Sequence, residues 1–141
     1  MKQRTRPCDT CPFARTTAPK TLGGSSPETF VGQANGKFII PCHCHIDYSD
    51  PDWRLNSVTN ASQCAGAAIF RANLVIQQDG GLVKLPKDTE TVFASFAEFH
   101  AHHREITVAE SAVFLKTMTP EILTLHEMER AGVRFHLIPK Q

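Results

Sequence analysis

The residues best able to do chemistry in this chain are its five cysteines, which fall in three short clusters between residues 8 and 64. The clusters read Cys8-Asp-Thr-Cys11-Pro-Phe, Pro-Cys42-His-Cys44-His and Gln-Cys64-Ala-Gly. A Cys-x2-Cys pair lets two thiolates converge on one metal ion, because the two intervening residues can form a tight turn. The spacing therefore predicts a metal site in the first half of the chain.

Two sets of ligands fit this pattern. The first set uses four thiolates, from Cys8, Cys11, Cys42 and Cys64. The second set takes Cys42 and His45 as a second pair with two residues between them, and it leaves Cys64 out. His43 is a further alternative, either as a ligand or as a hydrogen-bond donor to a ligand. Local spacing favours the second set, so the choice depends on where Cys64 lies.

Cys64 is expected near the start of a helix over residues 63–73, with Ser62 as the N-cap. The unpaired amides and the positive dipole at a helix N-terminus lower a thiol pKa and favour the thiolate that a metal needs. Gly66 and the alanines on either side of it would also let a bulky centre approach the backbone closely. This placement favours the four-cysteine set.

The composition bounds the class of protein. The chain has 141 residues, of which 41% are hydrophobic, and this is enough for one domain with a core. A formal net charge of +1 gives no overall signal for nucleic acid or membrane. We expect a cytoplasmic protein with no membrane partner, because the sequence contains no apolar run typical of a membrane span or a signal peptide. In a reducing compartment, clustered cysteines are more typical of metal ligands than of disulfides.

The order of elements predicts an α+β fold in a single domain over residues 1–141. Its first part, over 1–76, is a loop-rich, metal-stapled half, and its second part, over 89–141, is mostly helical. Ser26 and Pro27 predict the start of a short helix over 27–34. The apolar run at 37–40 predicts a short strand that Pro41 ends, and alternation over 133–138 predicts a terminal strand.

The second half carries three predicted helices. The spacing of apolar residues predicts the first over 91–103. Thr107 caps the second, which has Val108 and Leu115 on its inward face. Pro120 starts the third, in which a further apolar stripe faces inward.

Two histidines of the first predicted helix have a spacing that could bind a metal. His100 and His103 are three residues apart and would lie on one helix face. Because no cysteine or carboxylate is fixed beside them by sequence, the preferred interpretation is that they are core or surface histidines.

The cysteine clusters resemble a known pattern. Cys8-x2-Cys-Pro-Phe-x-Arg15, then Pro-Cys42-His43, then Gln-Cys64-Ala-Gly-Ala is similar to the CxxCP(F/W)xR, PCH and CAGA blocks of an uncharacterised family of small phage and bacterial proteins. The resemblance covers about residues 6 to 73. It implies the four-cysteine ligand set, with His43 as a fifth functional candidate, and a phage or mobile-element origin. It implies no reaction, and it leaves Cys44 and His45 outside the pattern.

Zinc and a 4Fe-4S cluster both accept four thiolates, so the residue types leave the cofactor open. Zinc is favoured by its frequency as a structural metal in small domains. A cluster is favoured by the absence of a second close cysteine pair in the four-cysteine set and by the proline directly after Cys11, a layout that resembles the cluster site of some DNA-repair glycosylases.

Three classes of function remain. The preferred one is a metal-stabilised binding or interaction module, whose partner is a host protein or a nucleic acid. The second is an iron-sulfur redox or sensing protein, which could be linked to nucleic acid. The least favoured is a metal-dependent enzyme, in which His43 or His45 replaces a thiolate and leaves an open coordination position. No catalytic residue is assigned, because no pair of carboxylates has a compelling spacing.

Overall fold

A computed structural model describes residues 3–23, 25–36, 39–42, 44, 46, 49–52, 56, 62–78 and 80–117. These residues form four helices, namely α1 (Pro27–Asn35), α2 (Ala65–Asn73), α3 (Phe96–Arg104) and α4 (Val108–Lys116). No strand occurs among them, and antiparallel pairing is limited to isolated bridges. The predicted α+β class is therefore wrong for this part of the chain, which is helical.

The described part of the strand predicted over 37–40, residues 39 and 40, belongs to no strand, and the pairing next to it is a single bridge between Pro41 and Gln63. Two backbone hydrogen bonds flank that bridge, from Cys42 N to Ser62 O at 2.7 Å and from Cys64 N to Ile40 O at 2.6 Å. The pairing goes no further because proline has no N–H to donate and because the partner segment turns into a helix directly after Cys64. Residues 37 and 38 and the predicted strand over 133–138 lie outside the described residues.

Helix starts follow the capping residues in the sequence. Ser26 caps α1 and Pro27 is its first residue, so the helix predicted over 27–34 is confirmed. The first helix of the second half begins at Phe96 instead of residue 91, because Ser95 is its N-cap. Thr107 caps α4 with a capping box that includes Glu110. The predicted helix after Pro120 lies outside the described residues.

The core is built around Phe13, which follows the first cysteine pair by two residues and is fully buried. Its ring centroid lies 5.1 Å from those of both Phe70 and Phe99, and 5.7 Å from that of Phe30. These rings belong to α1, α2 and α3, so one aromatic cluster joins the loop at 8–22 to three helices. Aromatic pairs at such separations stabilise a core beyond the area that they bury.

Contacts outside the core also join the two halves of the chain. Arg15 N donates to Thr91 O at 2.9 Å, and Arg15 Nη1 lies 2.7 Å from the Glu98 carboxylate. Ala14 forms an isolated antiparallel bridge with Val92.

The prediction of a single domain over 1–141 includes residues 118–141, which the structure does not describe, and it stays a prediction.

A buried polar network joins α1, α3 and α4. His100 Nε2 lies 2.8 Å from Glu28 Oε2, and His100 Nδ1 lies 2.8 Å from Ser111 Oγ. Arg104 donates to both oxygens of Glu28. On the face predicted to point inward in α4, Leu115 packs against the core, whereas Val108 is 50% exposed, and the buried residue of this helix is Ser111. Within the described residues, no helix is long and apolar enough to cross a membrane.

Candidate metal centre

Cys11 and Cys64 bring their sulfur atoms together in the interior, although 53 positions separate them in sequence. Their Sγ atoms are 3.9 Å apart and both side chains are buried. Two thiolates on one tetrahedral zinc ion, each about 2.3 Å from the metal, are about 3.8 Å apart. The observed separation therefore matches one edge of such a site.

A second group of sulfurs comprises Cys8, Cys42 and Cys44, whose Sγ atoms all lie within 4.8 Å of one another. These three are close enough to hold a metal ion. Cys8 and Cys42 are buried and Cys44 is exposed. Sequence reasoning left Cys44 out of the site, although its position two residues after Cys42 was a signal that the two side chains could lie together.

The two groups adjoin each other. The negative charge of a Cys64 thiolate opposes the ionisation of Cys42. The charge of a Cys8 thiolate likewise opposes the ionisation of Cys11. The bridge between Pro41 and Gln63 sets Cys42 beside the start of α2. All four cysteines of the predicted set are thus buried and gathered from three separate segments. None of the five cysteines, all of which lie in the described residues, forms a disulfide.

The Cys8–Cys11 segment has the tight turn that a pair of metal ligands needs. Cys11 N donates to Cys8 O at 3.1 Å, and Ala14 N donates to Cys11 O at 3.2 Å. The hydroxyl of Thr17 also donates to Cys11 O. The backbone N–H and C=O of Cys11 are therefore both hydrogen-bonded inside the loop. Its side chain faces the other cysteines.

Helix α3 fixes this loop from the opposite side through two histidines. Lys20 N donates to His103 Nδ1 at 3.1 Å, so the proton resides on Nε2, which donates to Pro12 O at 2.7 Å. His102 Nε2 lies 2.6 Å from Thr17 O. Burial is the main cause that lowers the pKa of His103 and keeps it neutral.

His100 and His103 do not converge on a common point. His100 contacts Glu28 and Ser111, whereas His103 contacts the loop after Cys11. Both side chains are 1% exposed. The interpretation of these two residues as core histidines is confirmed.

Helix α2 begins at the metal centre. Its N-cap is Cys64 itself instead of Ser62, and Cys64 Sγ accepts a hydrogen bond from Ala67 N at 3.4 Å. A β-carbon at Gly66 would lie 2.2 Å from Cys11 Sγ. The close approach to the backbone predicted at Gly66 therefore exists. The group that approaches is the Cys11 sulfur.

The thiols differ in how readily they ionise. A hydrogen bond from Cys11 lowers the pKa of Cys64 despite its burial, with help from the amides of Ala67 and Gly66 and from the charge of Arg71. The same hydrogen bond, together with burial, raises the pKa of Cys11 well above its usual value. The pair therefore shares a proton that Cys11 holds more tightly, and Cys64 is the thiol of the two that ionises more readily.

The other two buried thiols hold their protons more tightly than usual. Burial and then a hydrogen bond with Cys44 raise the pKa of Cys8 to about 12, and burial raises the pKa of Cys42. A divalent cation supplies the positive charge that offsets such desolvated thiolates, and Arg71 is a buried cation on the same helix as Cys64. The residues present thus fit a thiolate-bound metal.

The remaining ligand candidates, His43 and His45, lie outside the described residues. Comparisons with protein families, with curated proteins and with solved structures found no match to this chain. The resemblance to the phage and bacterial cysteine-motif family stays a prediction.

Proposed function

We propose that this chain is a metal-binding protein in which Cys8, Cys11, Cys42 and Cys64 hold one Zn²⁺ ion that stabilises the helical fold. The observation that supports it is that four buried thiols from three distant segments form two adjoining groups, Cys11 with Cys64 and Cys8 with Cys42. A buried free cysteine packs much as a small apolar residue does. Packing alone therefore does not require a cysteine at these positions. Four such residues in one place are typical of a closed structural site.

Zinc is supported over a 4Fe-4S cluster by the separation of the sulfur atoms. In a cluster each cysteine binds a different iron, so the sulfurs are spread around the cluster. On one zinc ion they are neighbours at about 3.8 Å. The Cys11–Cys64 distance of 3.9 Å fits the zinc arrangement.

The four-cysteine set is supported over a set that includes Cys44 by the burial of its members. The four are buried, whereas Cys44 is exposed at the surface. A set of four that includes Cys8, Cys42 and Cys44 leaves out Cys11 or Cys64, and so does not use the buried pair whose sulfur separation fits zinc. Cys44 is in this proposal a neighbour of the site and not one of its ligands.

The proposed role of the metal is to tie the loop at 8–22 and the segment at 40–42 to the start of α2. The loop forms no regular secondary structure in the described residues, so ordering it costs backbone entropy, roughly 1–2 kcal/mol for each residue. Structural zinc in small domains contributes on the order of 10 kcal/mol. The resulting module would present its surface to a host protein or a nucleic acid, the partners predicted from the sequence.

The test is to purify the full chain without oxygen and to measure its metals by elemental analysis and its visible absorbance. We expect a colourless protein with one zinc ion per chain, and Co²⁺ in its place should give the absorption bands of a tetrahedral thiolate site. Cys64→Ser should lose the metal, and the matched variant Cys44→Ser should retain it. A brown protein that contains iron and inorganic sulfide would instead support the cluster.

A further inference from the structure

Cys44 differs from the other four cysteines because its side chain is exposed, whereas theirs are buried. Its sulfur nevertheless lies within 4.8 Å of both Cys8 Sγ and Cys42 Sγ. A four-thiolate metal site needs no fifth sulfur. The chain therefore holds a solvent-reachable thiol directly beside two of the proposed ligands.

Thr10 places the sulfurs of Cys8 and Cys44 next to each other. Its Oγ1 lies 3.9 Å from Cys8 Sγ and 3.8 Å from Cys44 Sγ. A hydrogen bond also joins the two cysteines directly. The exposed and the buried thiol are thus held in contact by a residue of the turn that carries Cys8.

We propose that Cys44 is a modification site for hydroperoxides, and that its oxidation leads to a disulfide with Cys8. Exposure to solvent and a neighbouring thiol that can resolve the first product both favour oxidation of a cysteine, and Cys44 has both. Cys8 is the resolving residue and not Cys42, because Cys42 and Cys44 are separated by one residue and their disulfide would close a very small ring. Cys8 comes from a separate segment, so a disulfide between Cys8 and Cys44 can adopt the usual disulfide geometry more easily.

The reaction has two steps. In the first, Cys44 Sγ attacks a hydroperoxide oxygen, the S–O bond forms, the O–O bond breaks, and the leaving oxygen takes the thiol proton to give water or an alcohol. In the second, Cys8 Sγ attacks Cys44 Sγ, the S–S bond forms, and the S–O bond breaks to release hydroxide. The two sulfurs together lose two electrons, which reduce the peroxide. A protonated Cys8 gives its proton to the hydroxide, and a coordinated Cys8 gives up its bond to the metal.

The consequence for the metal rests on the proposed function. A Cys8 sulfur in a disulfide no longer binds zinc, which leaves three thiolates of the set. The site then opens toward the surface at which Cys44 lies, so the ion becomes accessible to a chelator. Oxidation at an exposed residue would in this way release a buried metal, and a dithiol reductant would restore the site.

The experiment treats the zinc-bound full chain with hydrogen peroxide. Disulfides are mapped by peptide mass spectrometry, and zinc release is followed with a coloured chelator. We expect a Cys8–Cys44 disulfide, zinc release in step with it, and recovery of binding after dithiothreitol. Cys44→Ser should retain zinc and release it at least about tenfold more slowly under peroxide. Thr10→Val should slow disulfide formation, whereas Thr16→Val, at an exposed threonine of the same loop, should not.

The outcomes separate the two proposals. A zinc-loaded protein in which peroxide forms no Cys8–Cys44 disulfide would overturn this inference and leave the metal site intact. A protein that binds no metal but forms the disulfide would overturn the proposed function and support Cys44 as the modification site. Loss of zinc from Cys44→Ser before any oxidant is added would show that Cys44 is a required ligand, and it would overturn the inference.

Discussion

Gly66 and Cys11 meet so closely that a β-carbon on residue 66 would lie 2.2 Å from Cys11 Sγ. The backbone of α2 and the sulfur of the first cysteine pair therefore occupy adjoining space with no room for a methyl group. This contact places Cys11 against the first turn of α2, beside the N-cap residue Cys64. The start of the helix and the Cys11–Cys64 pair are one structural unit.

Gly66→Ala should therefore displace Cys11 and weaken metal binding. Overpacking of a close-packed interior costs typically about 1–3 kcal/mol, and here the displaced atom is a proposed ligand. We expect a lower melting temperature and at least about tenfold weaker zinc affinity, measured by competition with a chelator. Gly81→Ala is the matched control, since a β-carbon there has nothing within 4 Å. Equal effects of the two substitutions would show that the contact with Cys11 has no role.

Removal of the metal should loosen the loop at 8–22 and the first turn of α2 before it affects α3. The loop is held by Phe13, by the two histidines of α3 and by the proposed metal, whereas α3 is also held by the network of Glu28, His100 and Ser111. We expect faster hydrogen exchange of the loop amides after chelation, with slower exchange retained in α3. Cys11→Ser should reproduce this pattern without a chelator. Uniform loss of protection in all four helices would show that the metal supports the whole fold.

Local signals in the sequence were sufficient where neighbouring residues decide the structure. Ser26 and Pro27 fix the start of α1 through a cap and a fixed φ angle, and Cys64 lies at a helix N-terminus as expected. The strand predicted over 37–40 is absent at residues 39 and 40, the part that the structure describes, because an apolar run needs a partner strand and the partner segment becomes a helix after Cys64. Such pairing is a tertiary property that no local pattern contains.

The residues that support the site could not be found in the same way. His103 reaches Pro12 across 91 positions, and His100 reaches Glu28 across 72. From the sequence, each of these histidines could equally be an exposed residue on the surface of its helix. Only the packing of α3 against the rest of the fold shows what each one contacts. Cys44 was missed for a related reason, because its proximity to Cys8 depends on where two distant segments meet.

The ionisation of Glu28 should make the stability of the folded protein depend on pH in the acid range. Burial would raise the pKa of its carboxyl group, but hydrogen bonds from His100 and Arg104 outweigh burial and lower the pKa from 4.5 to about 2. Because the folded state has the lower pKa, the stabilisation is fully present above the unfolded value of 4.5 and is lost as the pH falls toward 2. The amount is on the order of 3 kcal/mol.

Glu28→Gln should therefore destabilise the protein at neutral pH and flatten the acid side of its stability curve, measured by urea unfolding at a series of pH values. Glu105→Gln is the control, because the carboxylate of Glu105 is exposed and pairs with the exposed Lys20, and surface ion pairs contribute little to stability. Retention of the full acid dependence in Glu28→Gln would show that other carboxylates cause it.

Metal binding should release protons, because at least three of the four proposed ligands are neutral thiols without the metal. The pKa values of Cys8, Cys11 and Cys42 are raised, whereas that of Cys64 is lowered by its hydrogen bond with Cys11. Only thiolates bind zinc, so each neutral thiol must give up its proton. We expect at least about three protons per zinc ion at neutral pH.

The affinity for zinc should accordingly rise with pH, by about tenfold per pH unit for each proton released. Calorimetric titration in two buffers of different ionisation enthalpy measures the proton count directly. Cys44→Ser should leave the count unchanged, since Cys44 is not a ligand in the proposed set. A lower count for Cys44→Ser than for the unsubstituted chain would mean that Cys44 gives up a proton to the metal, and the ligand set would then be Cys8, Cys42 and Cys44 with one further residue.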